Sequence, residues 1–538
     1  MKVLLISITV GALTEEVGIG MIAAILKEKY EVKTVSFNLR SDIDVIRNCI
    51  IEYMPDVVGI NIYNATREKV YEVSRLIKST NSKISIFVGG VEAFCNPVRI
   101  LEEEKNIDFV VVGEGEETTL ELLEAIENGL DFKNIEGISH RSGNEVVTNQ
   151  RRRLLHRISG LPMQDRSILK NSNIKIASIS TSRGCTGNCS FCVTPAMWKE
   201  ENVRWRGKDI DEVVEEIKQI ANLGYRHLFI NDCSYEDPDI SRMLAIANRL
   251  IDEQTKIYYS VDFKPSVYKK VSDDDINFLK TSGLVNVFIG IESGNKDDLK
   301  LYNKGVSVFD NQEVLKFFNK HNINQHFGFI NFNPYSTFQS LHENNVFLSE
   351  FQKYSLGNIF NYSTALMIFE KTALYKKITE EKLFINSNET VFRYGFLDYR
   401  IQVFAEFMVK KFGLIQKEFG NIIMHDLADK YIDVLEILLR EFSLSDNYSD
   451  LICAINENLK STKELILNNF HQHEFFNDLL YLAENNWSET RANDIVDSVY
   501  NRAVWMSLID KIKKERMNLY KRILTKDEHT RKLLCSLT

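Results

Sequence analysis

Three cysteines lie close together in the second third of the chain. Cys185, Cys189 and Cys192 are spaced C-x3-C-x2-C in a glycine-containing segment that follows a predicted strand. Thiolates this close in sequence can reach three corners of one iron–sulfur cube and leave the fourth iron open. An open metal position is typical of a site that binds substrate, whereas a structural site is usually closed. The triplet therefore predicts a 4Fe–4S cluster with a catalytic role.

A structural zinc and a disulfide are the alternatives for this triplet. Zinc would need a fourth Cys or His at a suitable spacing, and no nearby residue supplies one. A disulfide would leave one thiol over in a reducing compartment. The other cysteines of the chain are scattered, and we expect them to be buried small hydrophobic residues. They are Cys49, Cys95, Cys233, Cys453 and Cys535.

The chain that must position the triplet has 538 residues, which predicts about two to four domains. Its apolar fraction of 44% and charged fraction of 26% are those of an ordinary folded protein. The net charge of −9 argues against a nucleic-acid-binding face. No apolar stretch approaches the roughly 20 residues that span a bilayer, so we expect no membrane span and a cytoplasmic location.

The first part of the chain alternates between apolar strand patterns and amphipathic helix patterns. This alternation predicts a doubly wound parallel sheet in a domain over residues 1–140. Ligands of such sheets bind beyond the carboxyl ends of the strands, where the glycine-bearing loops lie. The predicted strands are Val3–Ile8, Val32–Phe37, Val57–Ile62, Ile84–Val88 and Phe109–Val112.

Three further regions follow. Residues 141–172 are less periodic and predict a linker, with a small hairpin over Ile138–Val147 at its start. Repeated strand–helix units predict a partial β/α barrel over residues 173–350, with functional residues at the carboxyl ends of the strands. Residues 351–538 carry apolar residues at helical spacing, and we expect a mainly helical domain that faces the substrate.

The cysteine segment, with Phe191 before the last cysteine, resembles the signature of the radical S-adenosylmethionine (SAM) family. Gly290–Gly294, read Gly-Ile-Glu-Ser-Gly, and the later Lys304 resemble downstream motifs of that family. The resemblance implies that the open iron binds the amino and carboxylate groups of SAM. One electron from the cluster then cleaves SAM to a radical that abstracts a hydrogen atom. The SAM-binding residues that the resemblance implies are Asn231, Asp232, Glu292, Ser293 and Lys304.

The doubly wound domain followed by this core resembles the cobalamin-binding radical SAM enzymes over residues 1–345. The resemblance implies cobalamin in the first domain, held by glycine-rich loops that let the backbone approach a large flat ligand. No histidine precedes His140, which excludes a histidine ligand to cobalt from this domain. The implied cobalamin-binding residues are Gly18, Gly20, Gly89, Gly90, Gly113, Glu114, Gly115 and Glu116.

The family implies an oxygen-sensitive methyltransferase that acts on an unactivated carbon. One SAM would supply the methyl group through cobalamin, and a second would supply the radical, with electrons from a donor such as flavodoxin or ferredoxin. The sequence leaves small-molecule, peptide and lipid substrates open, and we expect no nucleic acid partner.

Three other functions compete with methyl transfer. Cyclisation, rearrangement or epimerisation is the main alternative, with or without cobalamin, and Cys233 is a candidate hydrogen-atom donor for epimerisation. A methylthiotransferase would need a second cysteine triad in the first domain, which holds only Cys49 and Cys95. A non-catalytic cobalamin carrier or sensor would not require the Glu292–Ser293 motif.

Overall fold

The computed structural model describes residues 1–10, 15–170, 174–198, 203–355, 361–385, 391–415, 430–469, 472–499 and 502–538. The chain divides into two compact units. The first comprises Met1–Cys185 and Val193–Ile220, and the second comprises Thr186–Cys192 and Ala221–Thr538.

The first unit is built on a seven-stranded sheet. Its strands are β1 (Lys2–Thr9), β2 (Glu31–Asn38), β3 (Val57–Asn61), β4 (Ser85–Gly89), β5 (Phe109–Val111), β6 (Ile138–Ser142) and β7 (Glu145–Thr148). The order is β2-β1-β3-β4-β5-β6-β7, with β1 to β5 parallel. The doubly wound parallel sheet predicted from the sequence is confirmed. Its helices are α1 (Val17–Leu26), α2 (Ile43–Tyr53), α3 (Arg67–Thr80), α4 (Val91–Cys95), α5 (Pro97–Glu103) and α6 (Glu116–Asn128).

Burial explains why the sequence folds this way. In β1 every residue from Val3 to Thr9 is buried, as expected for a strand covered by helices on both faces. Helix α3 buries Val70, Val73 and Ile77, whose spacing forms one apolar stripe toward the sheet.

The predicted hairpin forms β6 and β7, which continue the sheet antiparallel to β5. The predicted end of the first domain, at residue 140, therefore falls inside β6. The domain bounds at 140, 172 and 350 stay predictions. The rest of the first unit contains α7 (Ser167–Lys170), β8 (Ile176–Ile179), β9 (Ser182–Gly184), α8 (Thr194–Met197), β10 (Trp205–Gly207) and most of α9 (Ile210–Asn222).

The second unit contains four neighbouring parallel strands in the order β14-β13-β12-β11. These strands are β11 (His227–Ile230), β12 (Tyr258–Phe263), β13 (Leu284–Glu292) and β14 (Asn324–Phe329). Strand–helix alternation is as the sequence predicts for a radical SAM core. The helices between and after the strands are α10 (Ile240–Asp252), α11 (Asp273–Ser282), α12 (Lys296–Leu301), α13 (Val308–Lys320) and α14 (Phe338–Phe351).

The described part of the chain after α14 is mainly helical, as predicted. Its helices are α15 (Ala373–Glu380), α16 (Tyr399–Ile415), α17 (Lys430–Phe442), α18 (Ser449–Asn469), α19 (Gln472–Asn485), α20 (Glu489–Val499), α21 (Arg502–Lys526) and α22 (Glu528–Leu537). Within the ranges given above, every helix is too short or too polar to cross a membrane.

The expectation that the scattered cysteines are buried is wrong for three of the five. Cys95 is buried and Cys49 is partly buried, whereas Cys233, Cys453 and Cys535 are exposed. Cys233 lies in the loop after β11, and Cys453 and Cys535 lie on helices. A small thiol is tolerated on a surface as well as in a core, so residue type alone does not decide its burial.

Candidate active site

The segment from Thr186 to Cys192 is held by backbone hydrogen bonds within the second unit. Ser190 N–H donates to the carbonyl of Tyr302 at 2.8 Å, and its hydroxyl donates to the carbonyl of Leu301 at 2.7 Å. The Phe191 ring packs edge-on against Tyr302 with 5.4 Å between ring centroids. The aromatic residue of the signature therefore fixes the cysteine segment against the end of α12.

An ion pair fixes the start of the same segment. The Asp237 carboxylate accepts hydrogen bonds from the backbone N–H and the hydroxyl of Thr186, each at 2.8 Å. Lys264 Nζ lies 2.5 Å from the same carboxylate and 2.7 Å from the Thr186 hydroxyl. Lys264 directly follows β12, so the sheet edge and the cysteine segment are joined by charge-assisted hydrogen bonds.

Cys189, Glu292 and Lys304 form one electrostatic group. Lys304 Nζ donates to Glu292 Oε1 at 2.9 Å, and both side chains are largely buried. Burial lowers the pKa of Lys304, but Glu292 and Cys189 outweigh it and raise the pKa above its ordinary value. Burial raises the pKa of the Cys189 thiol, and Lys304 opposes that rise. The structure thus brings a predicted cluster ligand together with two predicted SAM-binding residues.

The backbone at Glu292 is unusual. Its φ of +66° lies in the left-handed region, which non-glycine residues rarely occupy. The pairing of β13 with β14 shifts register between Gly290 and Glu292. Outliers of this kind cluster at functional sites, where the surrounding structure holds them in place. The bulge and the strained φ redirect the Glu292 side chain where the strand ends.

The loop after β11 places its predicted residues in different surroundings. Asn231 and Cys233 are exposed, and Asp232 is buried. Asp232 lies close enough to Asp262 on β12 to affect its ionisation. Burial raises the pKa of Asp262 to about 7, and the charges of Asp232 and Glu236 add to the rise.

Ser293, another predicted SAM-binding residue, lies in the core. Its hydroxyl contacts Asp298 Oδ2 at 3.0 Å and Asn344 Oδ1 at 2.9 Å, and the side chain is buried. This network joins the end of β13 to α12 and α14. The structure therefore gives Ser293 a positioning role beneath Glu292, and its contact with SAM stays a prediction.

In the first unit, the loop after β5 is tied to the strand that precedes Cys185. Arg183 on β9 makes short ion pairs with both Glu114 and Glu116. Arg206 on β10 lies 3.1 Å from Glu114 Oε2, which also accepts the Leu155 N–H at 2.7 Å. Burial raises the pKa of Glu114, but Arg183 and Arg206 outweigh it and hold the pKa below its ordinary value. Both glutamates predicted to bind cobalamin are paired with arginines.

The predicted cobalamin glycines divide into two groups. A Cβ placed at Gly18 or Gly113 would meet nothing within 4 Å, and at Gly89 only Val111 at 3.9 Å. A Cβ at Gly20 would lie 2.5 Å from Gln164, so Gly20 serves packing within the protein. The remaining two also approach protein atoms: Gly90 approaches the Ile62 carbonyl at 3.1 Å, and Gly115 approaches Ile22 at 3.0 Å.

These features fit the implied cofactors. Gly18, Gly89 and Gly113 leave open backbone at the carboxyl edge of a parallel sheet, which suits a flat ligand that needs no protein imidazole. Three cysteines in one short segment are the donor type that iron–sulfur clusters use. Among the described residues no three His, Cys, Asp or Glu side chains are already grouped as a metal site. Metal sites are commonly assembled by the metal itself.

Two family models match this chain. A B12 binding domain matches residues 3–123, and the radical SAM superfamily matches residues 179–343. The chain belongs to the B12-binding radical SAM enzymes. The predicted family is thereby confirmed, and with it the cofactors of these domains: a 4Fe–4S cluster, SAM and cobalamin.

Two curated relatives of this B12-binding radical SAM enzyme are among those found. An uncharacterized methyltransferase of Pyrococcus horikoshii is 26% identical over 316 residues, which cover 57% of this chain and 67% of the relative. A 4′-phospho-dehydrooxetanocin synthase of Priestia megaterium is 24% identical over 392 residues, which cover 67% of this chain and 50% of the relative. The chain thus spans between half and two thirds of these relatives.

A solved structure shares the fold of the enzyme. The cobalamin-dependent S-adenosylmethionine radical enzyme OxsB, with aqua-cobalamin and S-adenosylmethionine bound, has a TM-score of 0.64 at 18% identity. The match covers 100% of this chain and 83% of that chain, so it includes the helical C-terminal region.

Sequence reasoning missed several residues of this site. Arg183 lies two positions before Cys185, and its role depends on a carboxylate 69 residues earlier, which no local pattern reveals. Asp237 and Lys264 belong to two different loops that meet only in the fold. Lys264 directly follows β12, whereas Asp237 lies seven residues beyond the end of β11.

Proposed function

We propose that this enzyme transfers a methyl group from SAM to an unactivated carbon. Cobalamin, when bound, carries the methyl group, and the 4Fe–4S cluster, when bound, reduces SAM. Glu292 and Lys304 would bind and orient SAM beside Cys189, with Lys304 suited to the SAM carboxylate and Glu292 to the ribose hydroxyls. The observation that carries the proposal is the buried Glu292–Lys304 pair at the Cys189 thiol.

The proposed reaction consumes two molecules of SAM for each methyl group transferred. One SAM gives up its methyl group and leaves as S-adenosylhomocysteine, and a second SAM takes an electron and leaves as methionine and 5′-deoxyadenosine. The substrate carbon exchanges a C–H bond for a C–CH₃ bond, and the hydrogen atom leaves in 5′-deoxyadenosine. A low-potential donor such as flavodoxin or ferredoxin supplies two electrons for each turnover, one for the cleavage of the second SAM and one for the methyl transfer. One of the curated relatives is itself named a methyltransferase, which supports methyl transfer.

Product analysis tests this proposal. The enzyme would be purified anaerobically from cells supplied with cobalamin, then incubated with a cell extract and SAM that carries a deuterated methyl group. We expect S-adenosylhomocysteine and 5′-deoxyadenosine in equal amounts, together with a product that carries the deuterated methyl group. Formation of 5′-deoxyadenosine alone, with no labelled product, would contradict methyl transfer.

Radical rearrangement, cyclisation or epimerisation is the second candidate. One relative is named a synthase, and Cys233 is exposed just after β11, where a hydrogen-atom donor for epimerisation would be accessible. Cys233→Ala separates methyl transfer from epimerisation. Under methyl transfer it leaves product formation unchanged, whereas under epimerisation it halts turnover after SAM cleavage.

A further inference from the structure

The strands of the second unit have one face packed against helices. Val287 and Ile289 of β13 are fully buried, and Phe263 of β12 stacks on Phe318 of α13 with 5.8 Å between ring centroids. On β14, Gln325 donates to the Leu315 carbonyl of α13 at 2.9 Å. Side chains alternate along a strand, so the residues next to Phe263, Val287, Ile289 and Gln325 point to the opposite face of the sheet. We call this opposite face the inner face.

Asp262, Phe288 and His326 are neighbours on that inner face. Asp262 pairs with Phe288, and Phe288 pairs with His326, in the register of β12, β13 and β14. Asp262 and His326 are partly buried, whereas the Phe288 side chain is 42% exposed. A central strand of a parallel sheet is normally covered on both faces, so an exposed phenylalanine there marks an open face.

On the inner face, the row of side chains nearer the amino-terminal ends of the strands is covered by protein. Asn286 and Asn324, two residues earlier on β13 and β14, donate to the Asp433 carboxylate of α17 at 3.0 Å and 2.7 Å. Helix α17 therefore covers the amino-terminal end of the inner face with satisfied polar contacts. The row of Asp262, Phe288 and His326 lies directly above this closed end.

The row of residues nearer the carboxyl ends of the strands, which includes Gly290 and Gly328, lies beside the predicted SAM site. A Cβ placed at Gly328 would lie 3.1 Å from Phe288 Cζ and 3.4 Å from Glu292 Oε2, so the Phe288 ring and the Glu292 carboxylate border the same space. A Cβ placed at Gly290 would lie 2.6 Å from Lys304 Nζ. The two glycines keep the face clear between the ring and the ion pair.

The chemistry of the open row is selective. Phe288 offers an apolar ring face, and the Asp262 side chain has no hydrogen-bond partner among the residues that the structure describes. Asp232 and Glu236 add negative charge near Asp262. Two cations at this end of the sheet are held by carboxylates, Lys304 by Glu292 and Lys264 by Asp237, and a third, Arg242, interacts with Asp232. Such a surface favours an apolar body with a hydrogen-bond-donating amine and disfavours an anionic group.

We propose that Asp262, Phe288 and His326 form the substrate-binding surface of the second unit, and that its substrate is an amine whose apolar part lies on Phe288. The amine donates to Asp262, and His326 borders the other side of the ring. This inference rests on the proposed function, because it takes the space beside Glu292 as the place where the substrate meets SAM.

Two probes of matched size test the surface. Binding of 2-phenylethylamine and of 3-phenylpropanoate to the anaerobic holoenzyme would be measured by ligand-observed NMR at about pH 8, where the Asp262 carboxyl is ionised and the amine is still protonated. We expect the amine to bind about tenfold more tightly than the carboxylate. Asp262→Asn should reduce this preference below about twofold, whereas Asp262→Glu should retain it. Equal binding of the two probes to the wild-type enzyme would overturn the proposal.

Two aromatic variants locate the surface. Phe288→Ala should weaken both probes about tenfold, because each loses its contact with the ring. Phe309 on α13 is 63% exposed, and Phe309→Ala should leave both affinities unchanged. Equal effects of the two substitutions would overturn the assignment. SAM cleavage and product methylation are measured on the same preparations, so a failed methyl transfer is distinguished from a lost amine preference.

Discussion

A loop of glycine and glutamate residues lies at the end of a strand in each unit, and the glutamates of the two loops have different surroundings. In the first unit, Gly113-Glu114-Gly115-Glu116 follows β5, and both of its glutamates are paired with Arg183, with Arg206 as a second partner of Glu114. In the second unit, Gly290-Ile291-Glu292 ends β13, and Glu292 borders an open face beside the exposed Phe288. Glu292 is also paired, with Lys304, but it borders an open face. We therefore expect the first loop to brace the protein and the second to present its carboxylate to a ligand.

The largest expected effect is on the cluster, two of whose predicted ligands, Cys189 and Cys192, lie in the second unit. Cys189→Ala should abolish cluster absorbance and the formation of 5′-deoxyadenosine, because three thiolates are needed to hold the cube with one iron open. The same loss is expected for Cys185→Ala and Cys192→Ala. Iron content and product formation would be measured after anaerobic reconstitution.

Cys233→Ala is the matched control, because Cys233 is an exposed cysteine outside the triplet. It should keep the iron content of the wild type. A full cluster in all three triplet variants would remove the basis for treating the second unit as a SAM-cleaving site.

The next largest effect should arise in the first unit. Arg183→Gln would leave Glu114 and Glu116 buried without their shared partner, which we expect to lower the free energy of unfolding by about 3–5 kcal/mol. Arg157 pairs with Asp209 on the surface, so Arg157→Gln should change it by less than about 1 kcal/mol. Denaturant unfolding of both variants measures the difference. Similar stabilities would mean that the glutamates do not brace β9 and are available to a ligand.

The ion-pair partner of the second loop is closer in the sequence than the partners of the first loop. Glu292 lies in a local motif whose neighbours, Gly290 and Gly294, are close in sequence, and its partner Lys304 is 12 residues away. Glu114 also lies in a glycine motif, but its partners Arg183 and Arg206 are 69 and 92 residues away. Local patterns predict loops at strand ends and leave open which long-range charge occupies them.

The same difference between local and long-range features applies to the prediction of the fold. Apolar runs predicted β1 to β5 of the first sheet, in which β1 and β3 are buried on both faces and so carry a continuous apolar signature. The pattern did not reveal that the hairpin of β6 and β7 joins the first sheet, since edge pairing depends on the distant β5. It also missed Phe288 as an exposed residue, because an apolar side chain on a strand is ordinarily counted as core.

A smaller effect is expected on SAM binding when Glu292 is changed and the cluster is left intact. Glu292→Gln removes the charge that pairs with Lys304, and we expect SAM affinity to fall about tenfold while the iron content is retained. Asp274 lies exposed in the first turn of α11, and Asp274→Asn should leave SAM affinity unchanged. Equilibrium dialysis with labelled SAM measures both. Unchanged affinity in Glu292→Gln would place the carboxylate outside the site and make the two loops alike.

The smallest effect concerns the pH dependence of stability. Burial raises the pKa of Asp262 to about 7, with Asp232 and Glu236 adding to the rise. The unfolded chain loses this proton near pH ~4, so the folded state holds an extra proton between about pH 4 and 7. The stabilisation that comes from this extra proton is therefore complete below about pH 4. It decreases as the pH rises and is lost above about pH 7.

Asp262→Asn should remove that part of the slope. Unfolding would be measured on both proteins at several pH values across this window, and the difference between them isolates the carboxyl group. Parallel curves would show that Asp262 is ionised throughout, as an exposed acid would be.

The measurement that tests the central claim most directly is the metal content of the enzyme, purified anaerobically from cells supplied with cobalamin. The account predicts near one cobalt per chain beside about four irons, with S-adenosylhomocysteine and 5′-deoxyadenosine formed together from SAM. Iron without cobalt, with 5′-deoxyadenosine formed alone, would contradict a cobalamin-dependent methyl transfer and would favour radical rearrangement, cyclisation or epimerisation.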